Sequence, residues 1–174
     1  MKWLIAVLAV LVGIVLLVIV IGALLPRDHV SSRAARYKES PAEIWSAITD
    51  YSKFPEWRKS VKQVEALPAV NGQPSWRETD SHGNVIPYEI IESTASQRMV
   101  TRIANPKLPF GGTWTYQISS TPDGATVLRI TENGQIYNPV FRFAARLFLG
   151  YSATQEQYLR DLGNRFGQQV TVEK

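Results

Sequence analysis

From Trp3 to Leu25 the chain runs for 23 residues without a charged side chain, and no helical face through it is polar. As a helix this stretch rises about 35 Å at 1.5 Å per residue, enough to cross a hydrocarbon layer of about 30 Å. A secretory signal has a shorter apolar centre, about 7–15 residues, ahead of a small-residue cleavage site. Ile21-Gly22-Ala23 is a poor version of such a site, because Leu24, Leu25 and Pro26 follow it at once. The pattern therefore reads as an uncleaved single-pass anchor, with Trp3 at one interface and Pro26-Arg27-Asp28-His29 leading back into water.

Beyond His29 the period changes. Val30–Glu39 reads as a strand, and Ser40-Pro41-Ala42-Glu43 is a helix start with Ser40 as cap, Pro41 in the first turn and Glu43 three residues on. Ile44, Trp45, Ala47 and Ile48 give that helix a buried face, and a short second turn carries Phe54 and Trp57 inward. Val61–Leu67, Ser75–Asp80, Val85–Glu92, Arg98–Ala104, Thr113–Ser120 and Ala125–Ile136 follow as strands, punctuated by Asn71-Gly72, His82-Gly83-Asn84 and Pro122-Asp123-Gly124. Short strands at this spacing, joined by hairpin turns, predict an antiparallel sheet. From Pro139 the apolar residues Val140, Ala144, Leu147, Tyr151, Tyr158, Leu162 and Phe166 recur at three, four or seven, which predicts a helix of about 27 residues with a break or bend at Gly150. Asn138 caps its start and Gly167 lies past its end. The fold class is α+β: a curved antiparallel sheet of about 6–7 strands wrapped on one long C-terminal helix, with space for an apolar cavity between them. Residues 1–29 form the anchor and its exit, and residues 30–174 the soluble domain.

Composition narrows the chemistry. The 174 residues contain no cysteine and two histidines, which leaves no disulfide framework, no thiolate zinc site and no cysteine nucleophile. No metal and no cofactor is expected. Residues 30–174 hold 17 Lys and Arg against 14 Asp and Glu, scattered rather than clustered, so nucleic acid is not an expected partner. Arg27, Arg33, Arg36 and Lys38 outnumber Lys2 and the terminal amine across the apolar run; the positive-inside rule then puts the domain on the cytoplasmic side. There is no G-x-S-x-G, and Gly111-Gly112 lacks the lysine of a phosphate loop.

Ser40-Pro41-Ala42-Glu43-Ile44-Trp45, Asp50-Tyr51 and Phe54-Pro55-Glu56-Trp57 together resemble the opening of the START/birch-pollen-allergen (SRPBCC) superfamily, in its bacterial polyketide cyclase/dehydrase and lipid transport branch. Gly112-Thr113-Trp114, the Pro122-Asp123-Gly124 turn, Thr131-Glu132-Asn133-Gly134 and the Asn138-Pro139 helix start extend the likeness, which covers Arg36 to Phe166. It implies a helix-grip fold with a ligand held between sheet and long helix. Members bind lipids, sterols, quinones, polyketides or plant hormones. The anchor departs from the compact soluble members.

Strand parity selects the side chains expected to line the cavity: Trp76; Tyr88 and Ile90; Met99 and Ile103; Trp114, Tyr116 and Ile118; Leu128 and Ile130. The helix adds Phe143, Leu147, Tyr151 and Tyr158. The same residues also make sense as plain core, although tyrosine and tryptophan, apolar bodies with polar tips, suit a pocket that orients its ligand. Glu78 and Asp80 share the parity of Trp76 and are acid–base candidates if buried; the alternative is that they, with Glu89 and Glu132, face solvent. His82 falls in a turn and His29 beside the membrane, and no catalytic residue is assigned. Arg142 and Arg146, one turn apart, are either a solvated helix face or a contact to lipid head groups, with Phe141 and Phe148 touching the membrane. The expected function is membrane-tethered, non-catalytic binding or transport of a hydrophobic, lipid-like molecule. A cyclase or dehydratase acting on a polyketide-like substrate and a protein-interaction module are the alternatives.

Overall fold

The computed structural model describes residues 2–174. Its elements run α1 (Lys2–Leu24), β1 (Asp28–Tyr37), α2 (Pro41–Thr49), α3 (Phe54–Trp57), β2 (Val61–Val70), β3 (Gln73–Asp80), β4 (Val85–Thr94), β5 (Arg98–Ile103), β6 (Phe110–Ser120), β7 (Thr126–Ile136), α4 (Pro139–Ala144), α5 (Ala153–Arg165) and β8 (Val172–Glu173). The strands form one sheet in the order β2-β3-β4-β5-β6-β7-β1-β8, every neighbouring pair antiparallel. The sheet curls around α5, giving an α+β helix-grip fold. Seven strands stand where the alternation placed them. The eighth, β8, is two residues pairing with Ala34 and Ala35 on β1, too short to leave a period in the sequence. Pro68 lies within β2 rather than after it, at a register shift on the sheet's outermost strand, where a missing N–H costs no ladder bond.

α2 begins on the predicted capping box: the Glu43 N–H donates to Ser40 Oγ and the Ser40 N–H to Glu43 Oε2. Its face of Ile44, Ala47 and Ile48 meets Tyr37, Leu128, Ile130, Leu159 and Leu162 in the core. Two buried polar groups fix α5 against this layer. Gln155 exchanges hydrogen bonds with Ser31, accepting from its Oγ and donating to its carbonyl, each at 3.0 Å. Asp161 accepts from the Lys59 N–H at 3.0 Å.

The long C-terminal helix is two pieces. After α4 the backbone widens into a π-turn over Ala145–Leu149, closed by the Gly150 N–H donating to the Ala145 carbonyl. Gly150 then takes φ +69° and ψ −175°, a region essentially reserved for glycine that costs a side chain about 1–3 kcal/mol, and α5 restarts at Ala153. The apolar spacing of three and four continues across the break, but the faces do not. Leu147, Phe148 and Leu149 project outward instead of into the grip.

α1 is long and apolar enough to cross a membrane. It docks directly on α4, where Gly22 packs against Pro139 so closely that a Cβ would fall 2.0 Å from the Pro139 carbonyl oxygen. Arg142 is buried rather than solvated, its Nη1 donating to the Leu25 carbonyl at 2.9 Å and so satisfying a helix-end acceptor of α1.

Candidate functional site

The inner face of the sheet carries alternate residues of each strand, and cross-strand register sets their neighbours. Trp76 pairs with Tyr88 and Tyr88 with Ile103. Thr101 pairs with Trp114, Trp114 with Glu132, and Glu132 with Ser31. Three adjoining cavities lie under these rows, all roofed by Thr154 from the first turn of α5.

The innermost, about 50 Å³, ends on a buried ion pair. Arg58 Nη1 donates to Glu78 Oε1 at 2.7 Å, and Trp76 Nε1 donates to the same oxygen at 3.0 Å. The guanidinium lies over the rings of Phe54 and Tyr158, 4.7 and 5.0 Å from their centroids. Aromatic faces and a carboxylate together compensate the loss of water around a charge. Burial pushes the phenols of Tyr88, Tyr116 and Tyr158 up, so they remain neutral hydroxyls.

The middle cavity, about 270 Å³, is walled by Ile86, Tyr88, Thr101, Ile103, Phe110, Trp114 and Glu132. Beside it opens the outer one, about 510 Å³, where Ile103, Phe110 and Glu132 recur and Phe141, Ala144, Leu149 and Tyr151 form the mouth. A larger hollow of about 720 Å³ sits around the Ile103–Pro106 segment and is lined by Asp28, Glu89, Arg102, Asn105 and Tyr137, a more polar surface whose buried acid, Glu89, is paired with Arg102.

Glu132 joins the middle and outer cavities. Desolvation raises its carboxyl to about 7, against the hydrogen bond from Trp114 that favours the charged form. His29 Nε2 stands 3.6 Å from Glu132 Oε1, and the imidazole stacks on Tyr151 at 4.1 Å between centroids. Burial lowers the His29 pKa, partly offset by the charge of Asp28. His29 pairs with Gly134 across β1 and β7, and a Cβ there would come within 2.3 Å of the ring; only a glycine leaves room for this imidazole. A neutral acid beside a neutral imidazole can donate and accept hydrogen bonds, or exchange a proton, at the wall of an apolar cavity. No group of three or more potential metal ligands occurs among the described residues.

Of the residues that parity selected, Trp76, Tyr88, Ile103, Trp114 and Tyr116 line the inner and middle cavities, and Tyr151 the outer. Ile90, Met99, Ile118, Leu128 and Ile130 face the same side but are packed solid as core, lining none of the three. Tyr158 is core as well, beneath Arg58. Two helix positions are corrected. Leu147, within the π-turn, is exposed, and Phe143 packs on Phe148 with ring centroids 6.0 Å apart and lines none of the three cavities. Of the carboxylates, Asp80 stays at the surface, whereas Glu78 and Glu89 do not. Glu78 is buried on Arg58, and Glu89 is buried with Arg102 Nε at 2.8 Å. Asp80 is the turn residue, accepting the N–H groups of His82 and Asn84. Parity reasoning missed Glu132, which shares a face with Leu128 and Ile130, and Thr101, which shares one with Met99 and Ile103. His29, Phe110 and Thr154 lay outside the predicted strands and helix face.

The sequence profile of the family described as polyketide cyclase/dehydrase and lipid transport matches residues 31–164. Curated protein sequences give no match. Among solved structures, a START superfamily protein from Mycobacterium smegmatis superposes with a TM-score of 0.63 at 19% identity, covering 79% of this chain and 96% of that one. The Zhui aromatase/cyclase from Streptomyces sp. R1128 gives 0.62 at 8% identity, covering 78% and 91%. Norcoclaurine synthase from Thalictrum flavum gives 0.61 at 10% identity, covering 80% and 86%. At these identities the likeness is one of fold.

Proposed function

The chain belongs to the polyketide cyclase/dehydrase and lipid transport family, and from that footing we propose that it is a membrane-tethered, non-catalytic carrier of a hydrophobic molecule whose buried end is polar but uncharged. One observation carries this reading: the cavities run from an apolar mouth to a polar inner end with no unpaired cation among the described residues that line them. Arg58 is neutralised by Glu78, Glu132 is held near 7, and the remaining polar tips are hydroxyls of Tyr88, Tyr116, Thr101 and Thr154 and the indole of Trp114. A ligand burying a phosphate or carboxylate there would meet no free cation, and the desolvation of that charge would go uncompensated. A hydroxyl, ketone or quinone oxygen is the chemistry the wall accepts.

Native mass spectrometry of the full-length protein in detergent, followed by organic extraction, tests this. A co-purifying neutral lipid or quinone of defined mass supports the reading. An empty protein that also fails to take up such a lipid from the vesicles in which it is reconstituted overturns it.

The Glu132–His29 pair favours a second reading, proton transfer on a polyketide-like carbonyl substrate, as in a cyclase or dehydratase. It requires turnover that disappears in Glu132→Gln while binding of the substrate persists.

A further inference from the structure

Five large apolar side chains crowd one short stretch without being buried. Val140, Phe141, Leu147, Phe148 and Leu149 are between 42% and 76% exposed, and no other ten-residue stretch of the described residues outside α1 exposes as many. Scattered exposed apolar residues are ordinary, whereas a contiguous group marks a surface that something covers.

The covering phase is identified by what adjoins the patch. α4 is clamped to the C-terminal end of α1 by the Gly22–Pro139 contact and by the Arg142 bond to Leu25, so the patch is continuous with the apolar surface of α1 at the level where that surface ends. Arg27, just past the end of α1, and Arg146, within the patch segment, are both exposed, and cations beside an apolar surface suit anionic head groups. The patch also forms the rim of a cavity, because Phe141, Leu149, Gly150 and Tyr151 line the mouth of the outer one.

We infer that the segment from Val140 to Leu149 is a second membrane contact, lying in the interfacial layer beside α1, and that the cavity mouth opens onto lipid rather than onto water. This rests on the reading of α1 as a membrane anchor. The ligand then passes between bilayer and cavity past Phe141 and Leu149 without crossing bulk water.

The chain lacks cysteine, so single cysteines carry a spin label without background. Three full-length variants, Val15→Cys within α1, Phe148→Cys in the patch and Ser93→Cys on the exposed side of β4, are reconstituted in vesicles of three parts phosphatidylcholine to one part phosphatidylglycerol. Power-saturation measurements then compare the access of oxygen and of a water-soluble nickel chelate to each label. The expected result is loss of nickel access at positions 15 and 148, with oxygen access retained, and free nickel access at position 93. Nickel access at 148 equal to that at 93, with 15 still shielded, overturns the second contact and leaves the anchor intact. Free nickel access at both 15 and 148 overturns the anchor as well.

Discussion

Glu132 is a carboxyl whose charge is set by its walls. In the unfolded chain it titrates near 4.5; folded, near 7. The folded protein therefore holds this proton more tightly, and stability falls as pH rises through the window from 4.5 to 7, by about 3 kcal/mol in full. His29 acts in the opposite sense: its lowered pKa means that stability falls as pH drops below 6.5. Urea unfolding in detergent from pH 4.5 to 8 is expected to show Glu132→Gln losing the decline on the alkaline side, while the acid-side decline persists. A variant whose pH profile overlays the parent's would show that Glu132 ionises as it does in water. Arg58 and Glu78 form a second test at this scale. Glu78→Gln leaves a buried guanidinium without its counter-ion, and a loss of about 3–5 kcal/mol is expected, whereas Arg58→Met combined with Glu78→Leu recovers most of it. A double-mutant cycle measures the difference.

At the scale of elements, Gly150 and the π-turn separate the gripping helix from the exposed segment. Gly150→Ala is expected to cost about 1–3 kcal/mol, read as a lower unfolding midpoint, because φ +69° with ψ −175° strains any Cβ. Much of this layer was legible in the sequence. The Ser40–Glu43 box, the strand alternation and the break at Gly150 are local patterns, written in adjacent residues. The direction the chain takes after the break is not local, since apolar spacing of three and four looks the same whether the face turns inward, as at Tyr158, or outward, as at Leu147. Glu132 shows a different failure. It shares parity with Leu128 and Ile130, but the general cost of burying a carboxylate argued for solvent, and burial prevailed by raising the carboxyl to about 7. The pairing of His29 with Glu132, and of Arg58 with Glu78, joins elements distant along the chain, and no spacing rule reveals such a pair.

For the whole molecule, the question is where the folded part stands relative to the apolar helix. The excess of basic residues after Leu25 predicts a cytoplasmic domain under the positive-inside rule, and Ser93→Cys is then expected to react with a membrane-impermeant maleimide only after cells are lysed. Labelling in intact cells would reverse the orientation. Where the cavity sits is set by the sheet order, which brings β1, immediately after α1, against β7 and so places His29 over Gly134 at the outer mouth.

The seating of Gly22 on Pro139 has a consequence for reach. Three residues, Leu25 to Arg27, separate α1 from β1, a length of about 10 Å at full extension, and the Arg142 and Arg27 bonds take up even that slack. With α1 in a bilayer, the domain has no tether on which to swing. It would then search in two dimensions, at one height, and on the inference drawn above its opening would stay turned to the leaflet it stands on. On the proposed reading, a carrier held in this way would draw from its own leaflet and hand over to whatever diffuses into it in the same plane, rather than ferry cargo across an aqueous gap to another membrane.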